Sequence, residues 1–167
     1  GSLIVTDAVR IACSDLTGAV CELATKRYDV NLYQNEAERL VRKIGASKPQ
    51  NLSASYIAAG DDSRTGTLRR VTIYGHEIAA ALHPVLQKIV AAVSVALHNL
   101  PAEIACEVIE NGVRLTGGGA CLPGMTTLLA TETNLTVKPV KEPMRAVING
   151  ARQMLAVGEV TNLWAHL

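Results

Sequence analysis

Leu16, Val20, Leu23 and Ala24 recur at the three- and four-residue spacing of a helix, and Ala37, Leu40, Val41 and Ile44 repeat the pattern further along. The first stripe predicts a helix with an N-cap at Ser14-Asp15, running to about residue 27. The second predicts a helix over residues 34–44 with Gly45 as its C′ stop, so two apolar stripes face each other and the helices pack together. Ahead of them, residues 3–11 alternate weakly and are rich in Val and Ile, which predicts a strand feeding the first helix. Residues 54–59 and 67–74 read as two strands of a hairpin around a turn at Gly60-Asp61-Asp62-Ser63.

A long helical pattern follows from residue 76 to 99, with Pro84 accommodated by a kink or a break, and then a shorter helix over 101–109. Beyond it the pattern changes to strand 113–116, glycine turn 117–119, helix 122–131, strand 136–140 and helix 143–157. That order implies parallel strands with crossover helices, and with the first part it gives an α/β chain of two lobes. Only residues 47–53 read as a linker.

Composition narrows the classes. The core is aliphatic: 49% of the 167 residues are apolar, Phe is absent and Trp164 is the one Trp. A chain of this length buries roughly two-thirds of its unfolded surface and needs no staple. Sixteen basic against fifteen acidic residues leave no electrostatic footprint for nucleic acid or for an acidic membrane. Cys13, Cys21, Cys106 and Cys121 contain no Cys-x-x-Cys pair, which argues against a zinc ribbon or redox dithiol, and His76 and His83 have no Cys or further His near them in sequence. The sequons at Asn51 and Asn134 carry no weight without an export signal. The apolar run 78–97 is broken by His83-Pro84 and Gln87-Lys88, so it reads as a buried helix of a soluble, cytoplasmic domain rather than a span of about 20 apolar residues. Gly1-Ser2 reads as a cloning remnant, which predicts a domain taken from a longer parent, itself open to membrane association.

The stretch Leu115-Thr116-Gly117-Gly118-Gly119-Ala120 carries the most chemistry, because three glycines after a buried strand let backbone approach a flat ligand or a phosphate. Taken with Asn111-Gly112-Val113-Arg114 before it, Cys121-Leu122-Pro123-Gly124 after it, and Leu128-Leu129-Ala130-Thr131-Glu132-Thr133-Asn134-Leu135 beyond, it closely resembles the bacterial actins of the MreB/MamK type. The resemblance covers residues 3–157, including Leu100-Pro101-Ala102-Glu103, Glu142-Pro143, Ala12-Cys13-Ser14-Asp15-Leu16-Thr17 and the segment from Ala37 to Gly45. It implies half of an actin-like (ribonuclease H-like) fold, the second lobe. Residues 3–47 plus 112–157 would form a larger nucleotide-side subdomain, 48–111 a smaller inserted one, and 158–167 a tail.

The same resemblance implies proteins that polymerise on ATP into filaments organising cell-wall synthesis or magnetosome chains. It places Gly117, Gly118 and Gly119 in the adenosine loop, Glu38 near the ribose and Asp15 at the nucleotide-side helix. It also exposes departures: Ala12-Cys13 stands where the family has Gly-Gly, and Val41 where it has Lys. The two phosphate loops and the water-positioning carboxylate of the family precede the start of this sequence. Without them phosphoryl transfer lacks positioning and charge neutralisation, so the expectation is a non-catalytic module with no cofactor, binding ATP or ADP only where the missing lobe is supplied. Glu38 and Arg42, at i,i+4, also satisfy each other as a surface pair. Among the basic clusters, Arg64 with Arg69 and Arg70 on the hairpin is the first choice for protein contact. The functional expectation is a truncated actin-like interaction or scaffold module, monomeric or weakly self-associating, that meets an actin-like filament or another protein. The alternatives are a fragment of a complete filament-forming ATPase and a nucleotide-sensing module.

Overall fold

A computed structural model describes residues 6–47 and 53–157; residues 3–5 of the expected first strand, 48–52 of the predicted linker 47–53, and the tail at 158–167 lie outside them. Helix α1 spans Cys13–Tyr28 and buries Leu16, Thr17, Val20 and Ala24. Its N-cap is Ala12 in extended backbone, and the Asp15 carboxylate accepts the Ala12 N–H at 2.7 Å. Ser14 and Asp15 therefore sit inside the first turn rather than ahead of it. The strand expected before α1 does not form over residues 6–12, beside which no strand of the described residues runs. Alternating Val and Ile cannot hold an extended segment whose backbone lacks a ladder partner.

Asp29, at φ 55°, ends α1 and turns the chain into β1 (Val30–Leu32), a strand the periodicity does not reveal. Helix α2 (Gln34–Ile44) buries the predicted stripe of Ala37, Leu40, Val41 and Ile44 and packs against α1. Strands β2 (Ser55–Asp62) and β3 (Leu68–Tyr74) pair antiparallel, and β1 joins the other edge of β2 in the order β1-β2-β3. Gly60-Asp61-Asp62 is thus strand rather than turn, because Leu32, Asn31 and Val30 pair with those three residues. Gly60 makes this pairing feasible: a Cβ there would lie 2.2 Å from the Asn31 carbonyl oxygen. The turn itself is organised by Asp62, whose carboxylate accepts the N–H groups of Arg64 at 3.0 Å and Thr65 at 3.1 Å. Those two N–H bonds, with Arg69, outweigh desolvation and bring the Asp62 carboxyl down to about 2.

Helix α3 (Gly75–His98) runs through Pro84 without a break and buries Ile78, Ala79, Leu82, Leu86 and Val90 against α1, α2 and β3. By length and hydropathy it is long and apolar enough to cross a membrane, with 28% of its most apolar window buried in the fold. Glu77, in its first turn, is only 4% exposed at its side chain, and ties three elements together. It accepts the Tyr28 hydroxyl at 2.6 Å, the Tyr74 N–H at 3.0 Å and the Arg27 Nε–H at 2.7 Å.

Helix α4 (Ala102–Asn111) leads to β4 (Val113–Leu115), a 3-10 turn at Gly118–Cys121, α5 (Met125–Thr133) and β5 (Val137–Pro139). β4 and β5 pair parallel, as the strand-turn-helix-strand order requires. α5 begins three residues later than its apolar pattern suggests, since Pro123-Gly124 precedes it and Gly124 takes the left-handed N-cap position. The last predicted helix divides into a 3-10 turn at Pro143–Arg145 and α6 (Ala146–Val157). Leu122, Met125, Leu129 and Val137 join the core built by α1–α3 and the three-stranded sheet, so one hydrophobic cluster unites both sheets.

Candidate nucleotide-side cleft and hairpin face

Where the end of α2 meets the loop before α5, the backbones nearly touch. Ala46 N–H donates to the Pro123 carbonyl at 2.7 Å, and Gly45, at φ 53°, would bring a Cβ within 2.5 Å of the same oxygen. This tether fixes the face of α2 against the turn that follows β4. Gly117, at φ 76°, donates its N–H to the Pro143 carbonyl at 2.8 Å, which draws the Pro143–Arg145 turn to the same place.

The result is a cleft of about 570 Å³. Helix α1 contributes Cys13, Ser14 and Thr17, helix α2 contributes Gln34, Glu38, Val41 and Arg42, and the glycine turn contributes Gly118, Cys121 and Leu122, with Met144 at the edge. Polar groups on an apolar floor of Val41 and Leu122 suit a flat, partly polar ligand. The Cβ positions of Gly118 and Gly119 face open space, so neither glycine is required by packing. The latitude at those two positions is what close approach of a ligand to backbone needs.

Of the five residues assigned to nucleotide, Glu38 and Gly118 line this cleft; Gly117 and Gly119 flank Gly118 in the turn. Asp15 does not line it, because its carboxylate is turned back onto the Ala12 N–H to close the first turn of α1. Glu38 accepts Gln34 Nε2–H at 3.3 Å and meets Arg42 at 3.4 Å, with its side chain 40% exposed. The predicted i,i+4 pair and the cleft position therefore hold together for one carboxylate. Cys13 and Val41, at the two departures from the family pattern, line the cleft as well, whereas sequence reasoning missed Ser14, Thr17, Gln34 and Cys121; their only signal was their place on the two helices and the turn that the resemblance had singled out.

On the hairpin the three arginines divide. Arg69 pairs with Asp62 at 3.0 Å and Arg64 with Asp29 at 3.7 Å, so both brace the turn. Arg70 lies opposite Ala59 on the outer face of the sheet, where Ile57 is 64% and Leu68 65% exposed. Among the described residues no group of three His, Cys, Asp or Glu side chains is arranged to hold a metal ion.

The model of the MreB/Mbl protein family matches residues 1–162. Cell shape-determining protein MreB of Escherichia coli (strain K12) is 31% identical over 153 residues, which is 92% of this chain and 44% of that protein. Cell shape-determining protein Mbl of Bacillus subtilis (strain 168) is 27% identical over 155 residues, 93% of this chain and 46% of that one. Among solved structures, MreB5 of Spiroplasma citri bound to AMPPNP superposes with a TM-score of 0.87 at 24% identity, covering 95% of this chain and 48% of that one. The MamK double helical filament superposes with a TM-score of 0.69 at 16% identity, covering 90% and 45%. The chain thus spans less than half the length of the relatives it matches.

Proposed function

The chain belongs to the MreB/Mbl family of bacterial actin-like proteins, and from that premise we propose that it acts as a protein-interaction module of an actin-like filament system, cytoplasmic and without catalysis of its own. The observation that carries this reading is the outer face of the β2–β3 hairpin. Ile57, on the central strand β2, and Leu68, on β3, are about two-thirds exposed there, Arg70 is also on β3, and no described strand covers the far edge of β3. Separate exposed apolar side chains with a cation between them, next to an open edge, suit a protein surface. The similarity to a MamK filament supports a filament as the partner.

Absence of catalysis is supported by the cleft wall. Among the described residues Glu38 is the one carboxylate lining it and is already engaged by Arg42 and Gln34, whereas phosphoryl transfer requires several groups to hold metal and orient the nucleophile. The test is pelleting of the purified chain with an assembled MreB-type filament. Co-pelleting that saturates, and that Leu68→Glu weakens at least about tenfold, fits the loss of one central apolar contact. Failure of the unaltered chain to co-pellet removes the proposal's main support.

A second reading, that the sequence is part of a complete MreB-type ATPase, is favoured by the convergence of Glu38 and Gly118 on one cleft. The gene sequence ahead of Leu3 separates the two, since an aspartate-glycine hairpin and a second glycine hairpin there would favour the ATPase; calorimetry tests whether this chain binds nucleotide by itself. With one wall of the site, we expect no measurable heat from ATP or ADP at micromolar protein; a dissociation constant of about 1 μM or tighter, near −8 kcal/mol, would favour the nucleotide-binding reading.

A further inference from the structure

Two of the four cysteines open into one cleft. Cys13 belongs to the first turn of α1 and Cys121 to the turn after β4, and both are exposed. They share the cleft with Arg42, whose side chain is 77% exposed and whose contact with Glu38 is long at 3.4 Å, so its remaining N–H groups can meet an incoming anion. The other two thiols are placed differently. Cys21 is half-buried, and burial pushes its thiol up. Cys106 is exposed, but on α4, which also carries Glu103, Glu107 and Glu110, a negative setting that repels an anionic reagent.

We infer that Cys13 and Cys121 form a thiol-modification site for small anionic disulfides of the glutathione class, with Arg42 recognising the reagent's carboxylate and the adduct filling the cleft. In the step, the cysteine thiol gives its proton to solvent and its sulfur attacks one sulfur of the reagent. The reagent's S–S bond breaks as the mixed disulfide forms, and the other half leaves as a thiolate that takes up a proton. The reagent is itself the oxidant, so no further one is needed. Ser14, Thr17 and Gln34 supply hydrogen-bonding groups for the bound half. This inference stands on the cleft and does not depend on nucleotide binding.

The experiment incubates the full chain with oxidised glutathione and, in parallel, with the neutral hydroxyethyl disulfide, locating adducts over time by peptide mass spectrometry. Cys13 and Cys121 are expected to react with oxidised glutathione at least about fivefold faster than Cys106, the range that local charge and access give thiols. Arg42→Ala should remove that preference and leave the neutral reagent unaffected. Raising ionic strength on the unaltered chain should weaken the preference as well, which keeps the test valid should the variant not fold. Equal or faster reaction at Cys106 overturns the inference, and so does a preference of the same size for the neutral reagent or one insensitive to both Arg42 and salt.

Discussion

Glu77 shows how one buried carboxylate can hold three elements of this fold. Burial raises its carboxyl, but the Tyr28 hydroxyl, the Tyr74 N–H, Arg27 and His76 together outweigh that, so it is held below its ordinary value of 4.5. Because the folded value is the lower one, the stabilisation is fully present above about pH 4.5 and is lost as pH falls through the folded value. Tyr28 reports the other limit. Burial, then its bond to Glu77, pushes its hydroxyl up to about 12 from 10, so that contribution is present below pH 10 and lost as pH rises through about 12. Glu77→Gln keeps the shape and removes the charge, and should cost about 2–3 kcal/mol at neutral pH, the scale of hydrogen bonds to a charged group. Urea midpoints of the chain and the variant should draw together as pH falls below 4.5 and through the lowered folded value of Glu77. A gap between them that does not change with pH would mean that packing, not charge, sets the role of Glu77.

Among the elements, α3 divides into a half that the fold holds and a half that it leaves at the surface. Leu82 is 0% exposed, while Val95, about three and a half turns further on, is 54% exposed. Leu82→Ala should therefore cost about 2–5 kcal/mol through lost burial and an unfilled cavity, whereas Val95→Ser should stay within about 0.5 kcal/mol. Denaturant titration of both reads the difference directly, and equal costs would contradict the packing of α3. The long helices were legible because a 3.6-residue stripe is a local signal: α2 lies where its stripe placed it, and Gly45 stops it. β1 was not legible, because three residues carry no periodicity and their pairing depends on Gly60, which is close in space but distant in sequence. The strand expected at residues 3–11 failed over its described part, 6–11, for the complementary reason, since its pattern was local and its partner had to come from elsewhere. In the cleft, Glu38 and the glycine turn were legible through the family resemblance. The turning back of Asp15 onto Ala12 is a matter of local hydrogen-bond geometry, which residue identity alone does not fix.

For the molecule as a whole, the decisive contrast lies between its two sheets. The three-stranded sheet has Val71 and Ile73 buried on its inner face, whereas the parallel pair β4–β5 is only three residues long in each strand and is followed by a helix that covers little. In α6, Val147 is 80%, Ile148 70% and Leu155 71% exposed. A parallel sheet is ordinarily covered on both faces, so this end of the molecule carries apolar surface suited to a protein contact. A heterologous contact, in which one surface of a subunit meets a different surface of the next, builds an open filament when it does not close on itself, and each such contact needs enough buried area to offset the lost freedom of the subunit. A chain spanning 44% of the length of an MreB relative offers correspondingly little of that area. We therefore expect the isolated chain to sediment as a monomer or in weak, concentration-dependent equilibrium at micromolar concentrations, with the same profile in the presence and absence of ATP. Replacing Ile148 by Glu, a substitution at an exposed position with little reason to disturb folding, should shift any such equilibrium to monomer. Polymers that appear only with ATP would instead mean that one lobe suffices for nucleotide-coupled assembly, and association unchanged by Ile148→Glu would move the contact surface away from α6.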